Sequence, residues 1–380
     1  MPLTPSRFRQ LLAPVAGLAL LAALVAVSEP RLVQAAAPTP QEIKSVTDKA
    51  VAFLKTKQGA DGSFAPKLGG PGITALIVAG LTRNGHGNDP VTTKALKYLE
   101  GKIQKDGGIY EQRLANYTTC IALMAFKELN KGGTEYKVVI ENATKFLKTL
   151  QNAEDTKNVM FGGVGYDGSG RPDLSNTHFF VEALIAAGVP QNDPAIKNAL
   201  TFISRCQNLP GEAQDQEFAK KATEDDKGGF IYNPLMAGAK GKKDARVTEV
   251  GGLRSEGGMT YAGLKSFLYA GVGKDDTRVK AALNWVSRHY SLEENPGQKD
   301  AGLYYYYHTF AKAMDALGED EFTDAAGKKH DWRQELFETL KKRQNADGSW
   351  ANTNQAFLEN TPELSTAYAL LALSYCTPKK

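Results

Sequence analysis

A short segment near the start of the chain returns almost unchanged near its end. Gln58-Gly-Ala-Asp-Gly-Ser-Phe64 and Gln344-Asn-Ala-Asp-Gly-Ser-Trp350 are near copies. Weaker versions lie between them: Gln104-Lys-Asp-Gly-Gly-Ile-Tyr110, then Gln151-Asn followed after an insertion by Phe161-Gly-Gly-Val-Gly-Tyr166, then Gln207-Asn followed by Gly228-Gly-Phe-Ile-Tyr232. The glutamines step by 46, 47 and 56 residues, and the remaining gap of 137 accommodates two lengthened units. The fifth unit lacks the glutamine, runs through Trp285 to His289 and resumes at Asp300-Ala-Gly-Leu-Tyr304. A repeat of this length constrains the fold strongly, because each unit must bury its apolar face against the next.

Each unit reads as helix, glycine-rich turn, helix. Ile43, Val46, Ala50, Phe53 and Leu54 keep helical spacing on one face, with charges on the other. After the turn, Ile73 to Leu81 is apolar nearly all round, which requires burial on every side. Val138–Leu150, Ala195–Cys206 and Val279–Val286 repeat the first pattern; Tyr117–Phe126, Phe179–Ala187, Met259–Ala270 and Thr366–Leu373 repeat the second. Asp89-Pro90 and Asp193-Pro194 read as N-caps followed by proline at the first helical position. No strand-length run alternates with period two, which disfavours a sheet. A wet ring of helices around a dry ring satisfies both patterns, giving an all-α, six-hairpin α/α toroid over residues 38–380. An open solenoid would need special end caps, yet the first and last units are the most alike. In the turns, Gly62 and Gly348 suit a positive φ, and Asp61 and Asp347 suit bonds to nearby amides.

The Gln…Asp-Gly-Ser-Trp element resembles the QW repeat of squalene–hopene and oxidosqualene cyclases and is similar to the helical repeat of protein prenyltransferase β subunits. The likeness to this prenyltransferase/squalene-oxidase repeat family spans roughly residues 40 to 376. It implies a central cavity suited to an isoprenoid-like or other hydrophobic small molecule and, for an enzyme, an isomerase or transferase of the terpenoid cyclase or prenyltransferase kind. Fold alone does not fix activity. The class II cyclases of this family carry Asp-x-Asp-Asp-Thr at the start of an inner helix, where clustered carboxylates keep one protonated. The matching segment here is Asp173-Leu-Ser175-Asn176-Thr177. Asp173 and Thr177 match; Ser175 and Asn176 replace the carboxylates that would supply the acid. Asp173 or Ser175 then reads as a helix N-cap, and Asp173 alternatively as a carboxylate at the cavity mouth.

The resemblance to prenyltransferases implies a zinc site of an Asp-x-Cys pair and a histidine. Tyr307-His308-Thr309 resembles the histidine element, but Glu256-Gly-Gly258 stands where the pair should lie, without a cysteine. No metal or other cofactor is expected. Complement-type thioester domains share the toroid, but their Cys-Gly-Glu-Gln element is absent. Tyr304, Tyr307 and His308 share one helical face, which either packs between hairpins or offers aromatic rings to a cation at the ring centre. Arg254-Ser-Glu256 leads through glycines to Tyr261 at the entry to an inner helix, where an anion could sit or where Arg254 and Glu256 could pair. The candidate catalytic residues are therefore Asp173 and Glu256 as acid or base, Tyr261 as proton relay and His308 as base. Two other function classes fit the same pattern: a carbohydrate-active toroid such as a polysaccharide lyase, and a non-catalytic binding or scaffold protein. Glu224-Asp225-Asp226 lies among lysines in a long insertion and reads as a solvated loop.

The N-terminal segment has the form of an export signal. Arg7 and Arg9 precede an apolar run from Leu11 to Val27, and Ala35-Ala36-Ala37 offers small residues for cleavage. A retained anchor is the rival reading. The expectation is a signal peptide over residues 1–37 and a periplasmic or secreted protein without a stable membrane span after cleavage. Removing that segment takes the net charge from +4 to +2, with no long basic block, so nucleic acid is not implied. Cys120, Cys206 and Cys376 sit among apolar neighbours without CxxC spacing and read as buried thiols. Nothing in the sequence sets the oligomeric state.

Overall fold

The computed structural model describes residues 37–130, 132–168, 170–211, 214, 216–238 and 246–377. The signal-peptide segment lies outside the described residues, apart from Ala37. Twelve long helices dominate the described residues and alternate between two layers. The outer layer holds α1 (Pro40–Lys57), α3 (Pro90–Glu100), α5 (Lys137–Thr149), α7 (Pro194–Arg205), α9 (Thr277–Arg288) and α11 (Trp332–Arg343). The inner layer holds α2 (Pro71–Arg83), α4 (Ala115–Asn130), α6 (Leu174–Ala186), α8 (Gly257–Tyr269), α10 (Leu303–Leu317) and α12 (Pro362–Leu373).

The layers follow from the side chains. Outer helix α1 buries Ile43, Val46, Ala50, Phe53 and Leu54 and leaves its charges in water, whereas α2 is buried continuously from Pro71 to Thr82. Each inner helix packs on the next, and α12 packs on α2, so the inner ring closes. Several helix starts are capped locally. Thr39 and Glu42 exchange bonds in a capping box, and the Asp193 carboxylate accepts from the Ala195 amide at 2.9 Å. Asp89 departs from its expected role: it precedes Pro90 at the N-cap position, but its carboxylate faces His86 Nδ1 at 3.0 Å and makes no cap bond.

The repeated glutamines fasten one hairpin to the next. Each side chain bonds the carbonyl of its own turn glycine and a carbonyl in the first turn or two of another outer helix: Gln58 reaches Gly62 and Val91, Gln151 reaches Gly162 and Ala195, and Gln207 reaches Gly228 and Arg278. Gln344 bonds Gly348 and then Val46 of α1, both at 3.0 Å, which ties the last unit to the first. Gln104 differs and bonds Lys102 and Tyr110 instead. The turn glycines are needed for the same junctions. Gly348 has φ +91°, and a Cβ there would lie 2.3 Å from the Lys49 carbonyl oxygen.

A second repeated device was not read from the sequence. The hydroxyl of a threonine in the first turn of an inner helix accepts the amide of the turn's aromatic or aliphatic plug. Thr74 serves Phe64, Thr119 serves Ile109, Thr177 serves Val164, Thr260 serves Phe230 and Thr366 serves Trp350, all between 2.9 and 3.1 Å. Each bond satisfies a buried N–H where the chain enters the inner ring.

Two expectations need correction. A small antiparallel hairpin, β1 (Glu321–Thr323) with β2 (Lys329–Asp331), occupies the lengthened link between α10 and α11. Its strands are three residues long, too short to show alternation in the sequence. The Glu224-Asp225-Asp226 segment is also not simply solvated, since Asp226 is buried and accepts the Ser255 amide at 2.8 Å. Cys120, Cys206 and Cys376 are free and buried, and burial pushes all three thiols up. Among the described residues no helix is long and apolar enough to cross a membrane.

Candidate active or binding site at the toroid centre

The inner helices follow their turns in the same sense, so one end of the ring gathers their N-termini and the other their C-termini. A funnel of about 860 Å³ opens at the N-terminal end. Tyr117, Tyr166, Tyr232, Tyr305 and Tyr368 line it, with Met259, Leu364 and Ile73. The tyrosine hydroxyls are paired: Tyr117 with Tyr368 at 2.7 Å, and Tyr166 with Tyr232 at 3.4 Å. The rim carries apolar side chains in water, with Phe357 64% and Leu68 52% exposed, alongside Leu358 and half-exposed Tyr166. Around this rim the backbone is left-handed at non-glycine residues: Ala65, Leu114, Phe357 and Leu358 have φ between 43° and 62°. Each such residue costs on the order of 1–3 kcal/mol.

Below the funnel lies a charged core. Glu182 of α6 accepts from Lys265 of α8 at 2.6 Å and from Lys312 of α10 through its other oxygen. Lys265 also meets His178 Nδ1 at 3.0 Å, and His178 Nε2 meets the Tyr305 hydroxyl at 2.6 Å. All of these except Tyr305 are buried below a tenth of their exposed area. Burial opposes the charge on Glu182, but the two ammoniums outweigh it and hold the carboxyl well below the usual range. Burial, helped by neighbouring Lys265 and against the pull of Glu182, brings Lys312 down to about 8. His178 and His308 are driven well below the ordinary imidazole value, first by burial and then by the adjacent ammoniums, so both are neutral near pH 7.

The four residues proposed from sequence occupy different places. Asp173 is the N-cap of α6, accepting from the Asn176 amide at 2.9 Å, the Ser175 hydroxyl at 2.6 Å and the Asn176 side chain at 2.9 Å. Burial raises its carboxyl against those bonds. Glu256 stands at the N-cap position of α8 and lines the funnel. Tyr261 lies deeper on α8, packed edge-on against Tyr306 and Phe310, and lines no cavity described here. His308 faces the ring centre on the far side, near Phe179 and Tyr368. Of the tyrosine run, Tyr305 turns inward, while Tyr304 and Tyr307 take the packing role that was one of the two readings of their shared face. Tyr307 donates to the Leu292 carbonyl at 2.7 Å, and Tyr304 packs edge-on against it. On α10 the central stripe is Tyr305, His308 and Lys312, at spacings of three and four.

Glu182, Lys265, Lys312 and His178 were missed. Their signal was present: charged residues inside helices otherwise apolar all round cannot reach water and must meet a partner. Glu359 was missed as well. It is buried at the funnel wall, accepts the Tyr305 amide at 2.8 Å and the Asn352 side chain at 2.9 Å, and is raised by burial against those bonds.

A family model described as the squalene-hopene cyclase C-terminal domain matches residues 69–224. A type II terpene cyclase, MstE from Scytonema, superposes with a TM-score of 0.51 at 12% identity over 89% of this chain and 98% of that one. The chain is an α/α toroid whose residues 69–224 resemble the squalene-hopene cyclase C-terminal domain.

The same toroid shape serves sugar chemistry. A D-mannose isomerase matches with a TM-score of 0.53 at 11% identity, covering 89% of this chain and 97% of that one. An unsaturated glucuronyl hydrolase specific for heparin matches with a TM-score of 0.53 at 15% identity and the same coverages. At these identities the likeness carries the fold alone. No curated protein sequence matches this chain.

Proposed function

We propose that this chain is exported and that its funnel receives an isoprenoid-like hydrophobic molecule. The observation that carries this reading is the tyrosine-lined cavity of about 860 Å³ with Leu68, Phe357 and Leu358 held exposed at its rim. Exposed apolar side chains around a concave opening are what an apolar ligand requires to leave water gradually. The left-handed backbone at Phe357 and Leu358 supports the same reading, because strain of this kind persists where surrounding structure fixes a functional conformation. The tyrosine faces could also stabilise positive charge on a ligand.

Acid-initiated cyclisation through Asp173 is not part of the proposal. Its carboxylate accepts three hydrogen bonds, and its neighbours Ser175 and Asn176 donate to it where an acid would need a second carboxylate. Of the sequence candidates, Glu256 is the one retained at the funnel wall.

A second reading has its own support. Glu256, Glu359, Asn295 and Gln298 give the funnel polar groups, and tyrosine rings lining a funnel can stack against sugar rings. The deciding experiment titrates farnesol, geranylgeraniol and an unsaturated heparin disaccharide into the protein by calorimetry. The proposal expects the isoprenoid alcohols to bind, with affinity reduced in Phe357→Ser/Leu358→Ser. Binding of the disaccharide alone would replace it with the glycan reading.

A further inference from the structure

A second cavity, of about 240 Å³, lies at the opposite end of the ring, where the inner helices end. It does not share the funnel's tyrosines. Its walls are largely apolar, with Leu76, Ile121, Phe179 and Leu371 from four inner helices. Two polar side chains of α10 also line it, His308 and Lys312, one turn apart on the same face. His308 is 1% exposed, and neither ring nitrogen has a hydrogen-bond partner in the protein. Lys312 is 5% exposed and spends one of its three N–H donors on Glu182. The charged core also contains two ammoniums, Lys265 and Lys312, for the single carboxylate of Glu182.

These features point one way. Buried donors without acceptors are costly, and a neutral imidazole with both nitrogens unmatched is uncommon in a packed interior. A group rich in acceptors and bearing one negative charge would match the unused donors of Lys312, take the N–H of His308 and balance the second ammonium. The walls call for an apolar body behind that group. Arg83 lines the same cavity, but Glu128, the Ser374 hydroxyl and the Tyr375 ring already engage its guanidinium. It sets the rim and is not counted as a donor to the ligand.

We propose that this cavity is a binding site for a small organic carboxylate with an apolar body, held through Lys312 and His308. The site is separate from the funnel and does not depend on the function proposed above.

The test uses the full chain, with benzoate and octanoate as probes and benzyl alcohol and octanol as their uncharged counterparts. Calorimetry should show at least one carboxylate binding about tenfold or more tighter than its alcohol, the worth of one charge-assisted hydrogen bond. Lys312→Met should erase that preference. This variant leaves Lys265 and Glu182 as a one-to-one pair, so folding should be retained. His308→Leu should weaken carboxylate binding while leaving the binding of the uncharged alcohols unchanged. Should either variant fail to fold, the wild-type protein labelled with ¹⁵N-histidine decides: benzoate or octanoate should shift the His308 ring nitrogens, and the alcohols should not. The proposal is overturned if acids and alcohols bind alike, if neither acid binds at millimolar concentration, or if the His308 resonances stay fixed at saturation.

Discussion

Glu182→Gln is the substitution that tests the charged core most severely. The replacement keeps the side-chain shape and removes the one negative charge between Lys265 and Lys312. Both ammoniums are nearly devoid of solvent contact, so neither can recover its hydration by a rotamer change. Breaking a buried ion pair from one side costs about 3–5 kcal/mol, because a charge is left without compensation. The structure argues for the middle of that range at neutral pH. Lys312 already sits at about 8 with Glu182 present, so loss of the carboxylate lets it shed its proton and limits the penalty. For the roughly 330 described residues the unfolding entropy is about 0.7 kcal/mol/K, so a loss of about 4 kcal/mol lowers Tm by about 6 °C. Urea denaturation monitored by circular dichroism, with calorimetric Tm as a second measure, reads the effect. The triple variant Glu182→Leu/Lys265→Met/Lys312→Met removes all three charges and should regain most of the stability. The reasoning is refuted if Glu182→Gln costs under about 1 kcal/mol, or if the triple variant is no more stable than the single one.

The turn glycines give a matched pair of substitutions. Gly348 (φ +91°) would set a Cβ 2.3 Å from the Lys49 carbonyl oxygen, whereas Gly85 (φ +87°) has nothing within 4 Å. Gly85→Ala should cost about 1–2 kcal/mol from the left-handed backbone alone, and Gly348→Ala clearly more, read as the difference in urea midpoint. His178 and His308 predict an acid transition. Their folded values lie well below the unfolded value of about 6.5, so the unfolded chain binds more protons as pH falls through that value. Their contribution is fully present above about pH 7 and declines below 6.5, by about 3 kcal/mol for the two groups together between pH 7.5 and 5.5. Denaturation at both pH values checks this, and a flat profile across the window would contradict the burial of neutral imidazoles.

The architecture was legible because a period written into the turns is a statement about packing. Gln58 and Gln344 were recognised as equivalent, and Gln344 bonds Val46 across the seam as closure requires. The likeness of the first and last units thus carried real information about their meeting. The centre of the ring was less legible. Helices such as Phe179–Ala187 were read for their apolar character, and Glu182 was passed over as one polar letter among many. A helix buried on all sides gives a single charged residue far more weight than it has on a surface helix, and that weighting would have found Glu182, Lys265 and Lys312. Which tyrosine of Tyr304 to Tyr307 turns inward was not available from spacing. It depends on which hydroxyls find acceptors outside the inner ring, as Tyr307 does at the Leu292 carbonyl in the link between α9 and α10. Asp173 shows the converse: the residue that resembles the first aspartate of the cyclase acid motif works here as a helix cap, bonded by the Ser175 and Asn176 that stand where that motif has carboxylates.

The central claim is that the funnel holds a hydrophobic molecule in the exported protein. Native mass spectrometry of the protein collected from the periplasm or medium, followed by solvent extraction of the same sample, tests it most directly. The account predicts a mature mass starting near residue 38 that carries a discrete adduct, released into the organic phase and identified as an isoprenoid-like compound. A bare protein mass, an empty organic phase and binding to an acidic polysaccharide would contradict it.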